Sequence, residues 1–203
     1  MNGNGEKMLV NDNNEIINEI EQRAILVGIN TGRRGEIDIN DSMEELKELS
    51  KAAGANVLDI VIQNKDKVDS AYFIGKGKAE EVKLMCTALD VNTVIFNDEL
   101  TGSQIRNLEE ALEVTIIDRT TLILDIFARR AHTKEAKLQV EIAQLRYRLP
   151  RLVGLGRSLS RTGAGIGTRG PGEQKLELDR RRILDRISDI KRQIKEVSKH
   201  REI

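Results

Sequence analysis

Apolar residues in the first half of the chain alternate between two patterns. Short, largely apolar runs occur at "AILVGIN" (24–30), "NVLDIVIQ" (56–63), "TVIFN" (93–97) and "VTIID" (114–118), each bounded by polar or glycine-containing segments. Such runs read as strands buried on both faces. Between them the apolar positions repeat every three or four residues: Met43, Leu46, Leu49 and Ala53, then Ala79, Val82, Met85, Cys86 and Leu89, then Ile105, Leu108 and Leu112. That is the period of helices with one buried face, and Ser42 with Glu45 fits a capping box for the first of them. Strands alternating with helices of about 10–15 residues predict βαβ units. Residues 23–118 are therefore expected to form a small α/β subdomain with a parallel sheet. The polar stretch 1–22 is expected to be disordered.

After Asp118 the strand pattern stops. Thr120 to Leu149 reads as helix, bent near His132, with Leu138, Ile142, Leu145 and Leu149 on one stripe. Beyond Gly172 a second stripe runs through Ile183, Ile187, Ile190, Ile194 and Val197. Two such seams joined by a loop predict an antiparallel, coiled-coil-like two-helix hairpin over 119–203, with a tip loop at 150–172. An arm of about 30 residues would be roughly 45 Å long, so the hairpin should project and carry the loop at its far end.

Charge changes this picture more than composition does. The formal net charge is +0, yet residues 119–203 carry 21 Lys/Arg against 10 Asp/Glu, and residues 1–118 carry 12 against 23. The C-terminal half is built to meet a polyanion and the N-terminal half to avoid one, unless the two halves fold against each other. No apolar run reaches the length of a membrane span, and "MNGNGEKMLVNDNN" lacks the apolar core of a signal peptide. A single cysteine, Cys86, cannot form an internal disulfide, and a cytoplasmic location is expected. Two histidines, His132 and His200, and that cysteine are too scattered for a protein-built zinc site.

The basic excess is densest where the glycines are. From Pro150 to Gly172 there are seven glycines, the four arginines Arg151, Arg157, Arg161 and Arg169, and no acidic residue. Glycine lets a backbone approach another surface and present its N–H groups, and arginine suits both phosphates and exposed bases. The segment reads as a cationic tip for nucleic acid, or else as a long basic helix connection. Gly165-Ile-Gly167-Thr-Arg-Gly170 fits G-x-G-x-x-G, but no strand leads into it. G-x-x-x-x-G-K-[ST] occurs nowhere. Gly75, Lys76, Gly77 and Lys78 open a helix and are a weak candidate phosphate site, more simply a turn. No catalytic constellation is present, and no enzymatic activity is expected of these 203 residues.

Four stretches carry a family resemblance: "YFIGKGKAEEV", "VIFNDELTGSQIRNLEEAL", "IIDRTTLILDIFARRAHTKEAKLQVEIAQLRYRLPRL" and "GAGIGTRGPGEQKLELDRRRI". The chain closely resembles the N-terminal, ribosome-binding domain of the HflX family of GTPases over residues 24–200. It departs from the usual "GETQLE" at Gln174 and Lys175. The resemblance implies an α/β subdomain followed by a helical hairpin whose loop reaches toward the peptidyl transferase centre. It implies binding to the large (50S) ribosomal subunit and its 23S-type rRNA, and support for GTP-dependent ribosome dissociation and rescue under stress. Arg157, Arg161, Gly163, Gly165, Gly167, Thr168, Arg169, Gly170, Pro171 and Gly172 become the implied tip contacts. Arg180, Arg181, Arg182 and Arg186 become implied backbone contacts or a packing face. GTP and Mg²⁺ would belong to a G domain beyond this chain, which reads as a piece of a longer, monomeric protein or else as a natural stand-alone homologue. ATP binding by the α/β half, at Lys76 and Lys78, and packing of the hairpin on the G domain are the alternative roles.

Overall fold

The computed structural model describes the backbone of residues 7–10, 16–19, 21–32, 38–160 and 171–199, and side chains over 21–32, 38–152 and 176–197. Four parallel strands form the centre: β3 (Gln22–Asn30), β4 (Ala55–Asn64), β5 (Thr93–Phe96) and β6 (Thr115–Asp118), in the order β4-β3-β5-β6. Two further short strands, β1 (Lys7–Val10) and β2 (Ile16–Glu19), pair antiparallel in a separate sheet. They lie within the 1–22 segment expected to be disordered. The ladder sets Leu9 opposite Ile17 and Val10 opposite Ile16, apolar partners that the overall polarity of the segment conceals.

Helices cover both sheet faces, as a parallel sheet requires. On one face, Val82 and Cys86 of α2 (Lys76–Ala88) and Leu108 and Leu112 of α3 (Gly102–Leu112) close over Ile25, Val27, Val94 and Phe96. Phe73 meets Phe96 edge to face, with ring centroids 5.9 Å apart. On the other face, Met43 and Leu46 of α1 (Ile39–Ala52) and Leu122 and Ile126 of α4 (Arg119–Arg130) cover Ala24, Leu26 and Ile95. The residues of β3 thus alternate between two cores, and Ala24 to Val27 are wholly buried. Gly28 is what lets α1 sit so close, since a Cβ there would lie 2.5 Å from Met43 Sδ.

Two boundaries move. Helix α1 is capped by Asp38, whose carboxylate accepts from the Asn40 N–H, so Ser42 lies inside the helix and is not its cap. The reciprocal capping box is instead at α3, between Thr101 and Gln104. Helix α4, assigned from the pattern to the hairpin, belongs to the α/β layer, because Leu122 and Ile126 stand one turn apart on its sheet-facing side.

The hairpin proper is α5 (Lys134–Ser160) and α6 (Pro171–Lys199), separated from α4 by a break at Ala131–Thr133, beside the predicted bend. Leu138, Ile142 and Leu145 interlock with Ile183, Ile187, Ile190 and Ile194. Arg186 fixes the antiparallel register with two bonds to the Glu141 carboxylate, at 2.6 and 2.9 Å. Helix extends well into the expected 150–172 loop, through Pro150 to Ser160 and again from Pro171. Proline at the first position of α6 costs no intrahelical hydrogen bond. Nor does the hairpin stand clear along its whole length. Gly102, at the start of α3, lies so close to Arg151 that a Cβ there would sit 2.3 Å from the Arg151 carbonyl oxygen.

Candidate nucleic-acid interface

Asp118 helps join the two parts of the molecule. It ends β6, caps α4 and is 0% exposed. One carboxylate oxygen accepts from the Thr121 N–H and hydroxyl, at 2.9 and 2.6 Å. The other accepts from the Leu100 N–H at 3.2 Å, the Tyr147 hydroxyl at 2.6 Å and Arg151 Nη2 at 3.0 Å. Burial pushes this carboxyl up, but the donors outweigh it and hold the group below the usual carboxylate range. Burial, then the bond to Asp118, push the Tyr147 phenol up, so it stays a donor. Arg151 lies over the Tyr147 ring, 3.4 Å from its centroid, and donates to the Tyr147 hydroxyl and carbonyl. Its Nε is buried without a partner. Arg151, counted with the tip arginines from sequence, therefore faces inward, because Tyr147 and Arg151 one turn apart both reach Asp118.

A second polar group lies nearby at the carboxyl ends of the strands. Asn97 Nδ2 donates to Ser42 Oγ at 3.0 Å, Arg119 Nη1 donates to Asn97 Oδ1 at 2.9 Å, and Arg119 pairs with Glu45 at 2.7 Å. This is where open α/β sheets hold ligands, but here the polar groups bind one another.

Of the second-arm arginines, Arg180 pairs with Glu177, Arg182 with Asp179 and Arg186 with Glu141, all at exposed sites. Exposed pairs of this kind contribute roughly 0–1 kcal/mol, so a phosphate competes with them at little cost. Arg181 is exposed and has no such partner among the described residues. The four spread around α6 and do not form one face. Arg161, Gly163, Gly165, Gly167, Thr168, Arg169 and Gly170 lie outside the described residues. Arg157, Pro171 and Gly172 are placed by backbone alone, at the facing ends of α5 and α6.

Gly75 caps α2 with φ +86° and no side-chain bond to the first turn. Lys78 is taken by Glu81, and Lys65 Nζ lies 3.0 Å from where a Cβ on Gly75 would stand. Lys76 is exposed. Among the described residues no three His, Cys, Asp or Glu side chains gather as metal ligands, and no helix is long and apolar enough to cross a membrane.

Asp118, Tyr147 and Asn97 were missed from sequence. An aspartate three residues before a threonine at a strand end announces a cap, but nothing local announces its partners on α5.

Comparison with known proteins agrees with this architecture. A family model described as the N-terminal region of a GTP-binding GTPase matches residues 40–128, and one described as the middle region of such a GTPase matches residues 130–203. The GTPase HflX of Caldanaerobacter subterraneus subsp. tengcongensis is 54% identical over 197 residues, covering 97% of this chain and 45% of that protein. The GTPase HflX of Escherichia coli K12 is 42% identical over 181 residues, covering 89% and 42% respectively. The chain thus spans less than half the length of these relatives. Among solved structures, the complex of SsGBP with GDP matches with a TM-score of 0.66 at 21% identity, covering 89% of this chain and 45% of that one. A GTP-binding protein of Sulfolobus solfataricus with GDP gives 0.56 at 21% identity, covering 84% and 46%. Both show the same fold.

Proposed function

The chain belongs to the HflX family of GTPases, as its N-terminal portion, and from that we propose that it docks the family protein on the large ribosomal subunit through RNA. The observation that carries this reading is that α5 ends at Ser160 and α6 begins at Pro171, so the chain between the two arms is residues 161–170, a segment with two arginines, four glycines and no acidic residue. Such a segment gains little by folding on itself and much by laying its N–H groups and guanidinium forks against phosphates.

The Asp118 joint gives the reading a mechanism. Because Tyr147 and Arg151 hold α5 to the end of β6, the arm leaves the α/β body in one direction. A tip delivered in a fixed direction loses less entropy on binding than one on a loose arm. GTP binding and hydrolysis are assigned to the part of the family protein outside this chain, since the 203 residues contain no P-loop sequence. In this reading the N-terminal portion finds the RNA, and the GTPase portion uses that placement to separate ribosomal subunits.

The test is co-sedimentation of the chain with purified large ribosomal subunits across a salt series. Binding that weakens steeply with salt, and that disappears when residues 157–170 are replaced by a neutral Gly/Ser linker, is the expected result. Equal binding by the linker variant would overturn it.

A further inference from the structure

Residues 150–160 have the composition of a loop and the backbone of a helix. Pro150, inside α5, has no N–H, so the Arg146 carbonyl loses its intrahelical donor. Gly154 and Gly156 follow within two turns, and only proline is a poorer helix former than glycine. Nor does the apolar seam support this stretch. Among the described residues it reaches no nearer the tip than Leu145 and Ile183. A helix end of this kind depends on tertiary bonds.

Arg151 supplies them. It donates from Nη1 to the Tyr147 carbonyl at 2.9 Å, and from Nη2 to Asp118 at 3.0 Å and to the Tyr147 hydroxyl. The guanidinium therefore staples the turn that Pro150 weakens and ties it to the end of β6. Yet the staple is incomplete. Arg151 Nε is buried with no acceptor, while the side chain as a whole is still 17% exposed. Asp118, by contrast, keeps other donors if Arg151 leaves: the Leu100 N–H, the Thr121 N–H and hydroxyl, and the Tyr147 hydroxyl. A phosphate can accept from Nε and Nη2 together, the fork that Asp118 leaves half used.

We propose that residues 152–160 are a convertible segment: helix while Asp118 holds Arg151, and unwound chain when an RNA phosphate takes Arg151 instead. This rests on the RNA-docking reading and says which form of the chain docks. Unwinding raises the reach of the segment from about 1.5 Å to about 3.3 Å per residue. It also frees backbone N–H groups, those of Gly154 and Gly156 among them, to face phosphates. Tyr147 stays on Asp118, so the arm keeps its direction while its end lengthens. The phosphate bound only by the unwound form supplies the differential affinity that a two-state element needs.

The experiment pairs amide hydrogen exchange of the full chain with co-sedimentation on purified large ribosomal subunits. In the free parent, amides of 152–160 should exchange about a hundredfold faster than those of 138–148, because opening there is local. Gly154→Ala with Gly156→Ala favours the helix; it should slow that exchange and weaken binding by about tenfold. Gly154→Asn with Gly156→Asn adds side chains without alanine's helix preference and should bind like the parent. Arg151→Gln should speed exchange at 152–160 and make the slope of log affinity against log salt shallower by about one. Parental binding by the alanine variant, while a neutral linker over 157–170 still abolishes binding, would overturn the conversion and leave the docking reading standing. Equal losses in the alanine and asparagine variants would assign the glycines to close approach and overturn it too, as would exchange at 152–160 no faster than at 138–148. If the parent itself fails to bind at low salt, both readings fall.

Discussion

The Tyr147 hydroxyl donates to Asp118 Oδ2 at 2.6 Å, and Arg151, one helical turn on, donates to the same oxygen at 3.0 Å. Through that oxygen the first arm of the hairpin is fixed to the last strand of the sheet. Tyr147→Phe keeps the ring under the Arg151 guanidinium and removes one donor to a buried charge. A hydrogen bond to a charged group contributes about 1.5–3 kcal/mol, and the remaining donors soften the loss. The melting temperature should fall by about 3–8 °C, at roughly 2–4 °C per kcal/mol for a chain of this size. An unchanged melting curve would show that the joint does not hold the two parts together.

Asp118→Asn tests the charge itself. It leaves Arg151 partly buried without its counter-ion, the situation in which breaking a buried pair costs about 3–5 kcal/mol. The sign with pH follows from the lowered carboxyl. Its contribution is complete above the unfolded value and is lost as pH falls through the folded one. Chemical denaturation at successive pH values should therefore show the parent's advantage over Asp118→Asn constant from pH 7 to about 5 and shrinking below about pH 4. Asp125 acts oppositely. Burial raises its carboxyl despite the bond from Gln144, so the folded state favours its protonated form and gives up that contribution as pH rises. Asp125→Asn should accordingly be less harmful at pH 7 than Asp118→Asn.

Gly102→Ala probes the same junction by shape. The added methyl would lie 2.3 Å from the Arg151 carbonyl oxygen, and that backbone is held in place by the bonds to Asp118. Either α5 shifts or the start of α3 does, at a cost of about 1–3 kcal/mol. Hydrogen exchange should speed up around residues 144–152 and at the start of α3, with β3 and β5 unaffected. Exchange slowed or unchanged at those places would contradict the observed contact.

The sheet was legible because helices cover both of its faces, so its strands appear as short apolar runs, wholly buried in β5 and nearly so in β3. β4 and β5 fall within a residue of the expected 56–63 and 93–97. The hairpin was legible for a related reason: its seam of Leu138, Ile142, Ile187 and Ile190 is a periodic feature of the chain. What sequence could not supply is long-range polar pairing. Asp118 meets Tyr147 across 29 residues, and Asn97 meets Ser42 across 55, with no local pattern to announce either. Ser42 misled the reading for that reason, since its hydroxyl serves Asn97 and not its own helix start. The charge asymmetry was visible at once, but its division between ion pairs such as Arg186 with Glu141 and lysines such as Lys137, exposed and without an ion pair among the described residues, needed the helix register.

Ile190→Ala separates the two parts energetically. Ile190 is 0% exposed within a small seam cluster that has few apolar residues to spare. Truncating such a side chain costs about 2–5 kcal/mol, a large share of what a two-helix seam can contribute. The hairpin should melt first, giving an early loss of helical signal in circular dichroism followed by the α/β transition at nearly the parental temperature. A single transition lowered as a whole would mean that the Asp118 joint couples the two parts into one cooperative unit. The pairing of this variant with Tyr147→Phe then decides between the two. If the joint transmits stability, the effects of the two substitutions on the α/β transition will fail to add. If it only sets direction, they will add within about 0.5 kcal/mol.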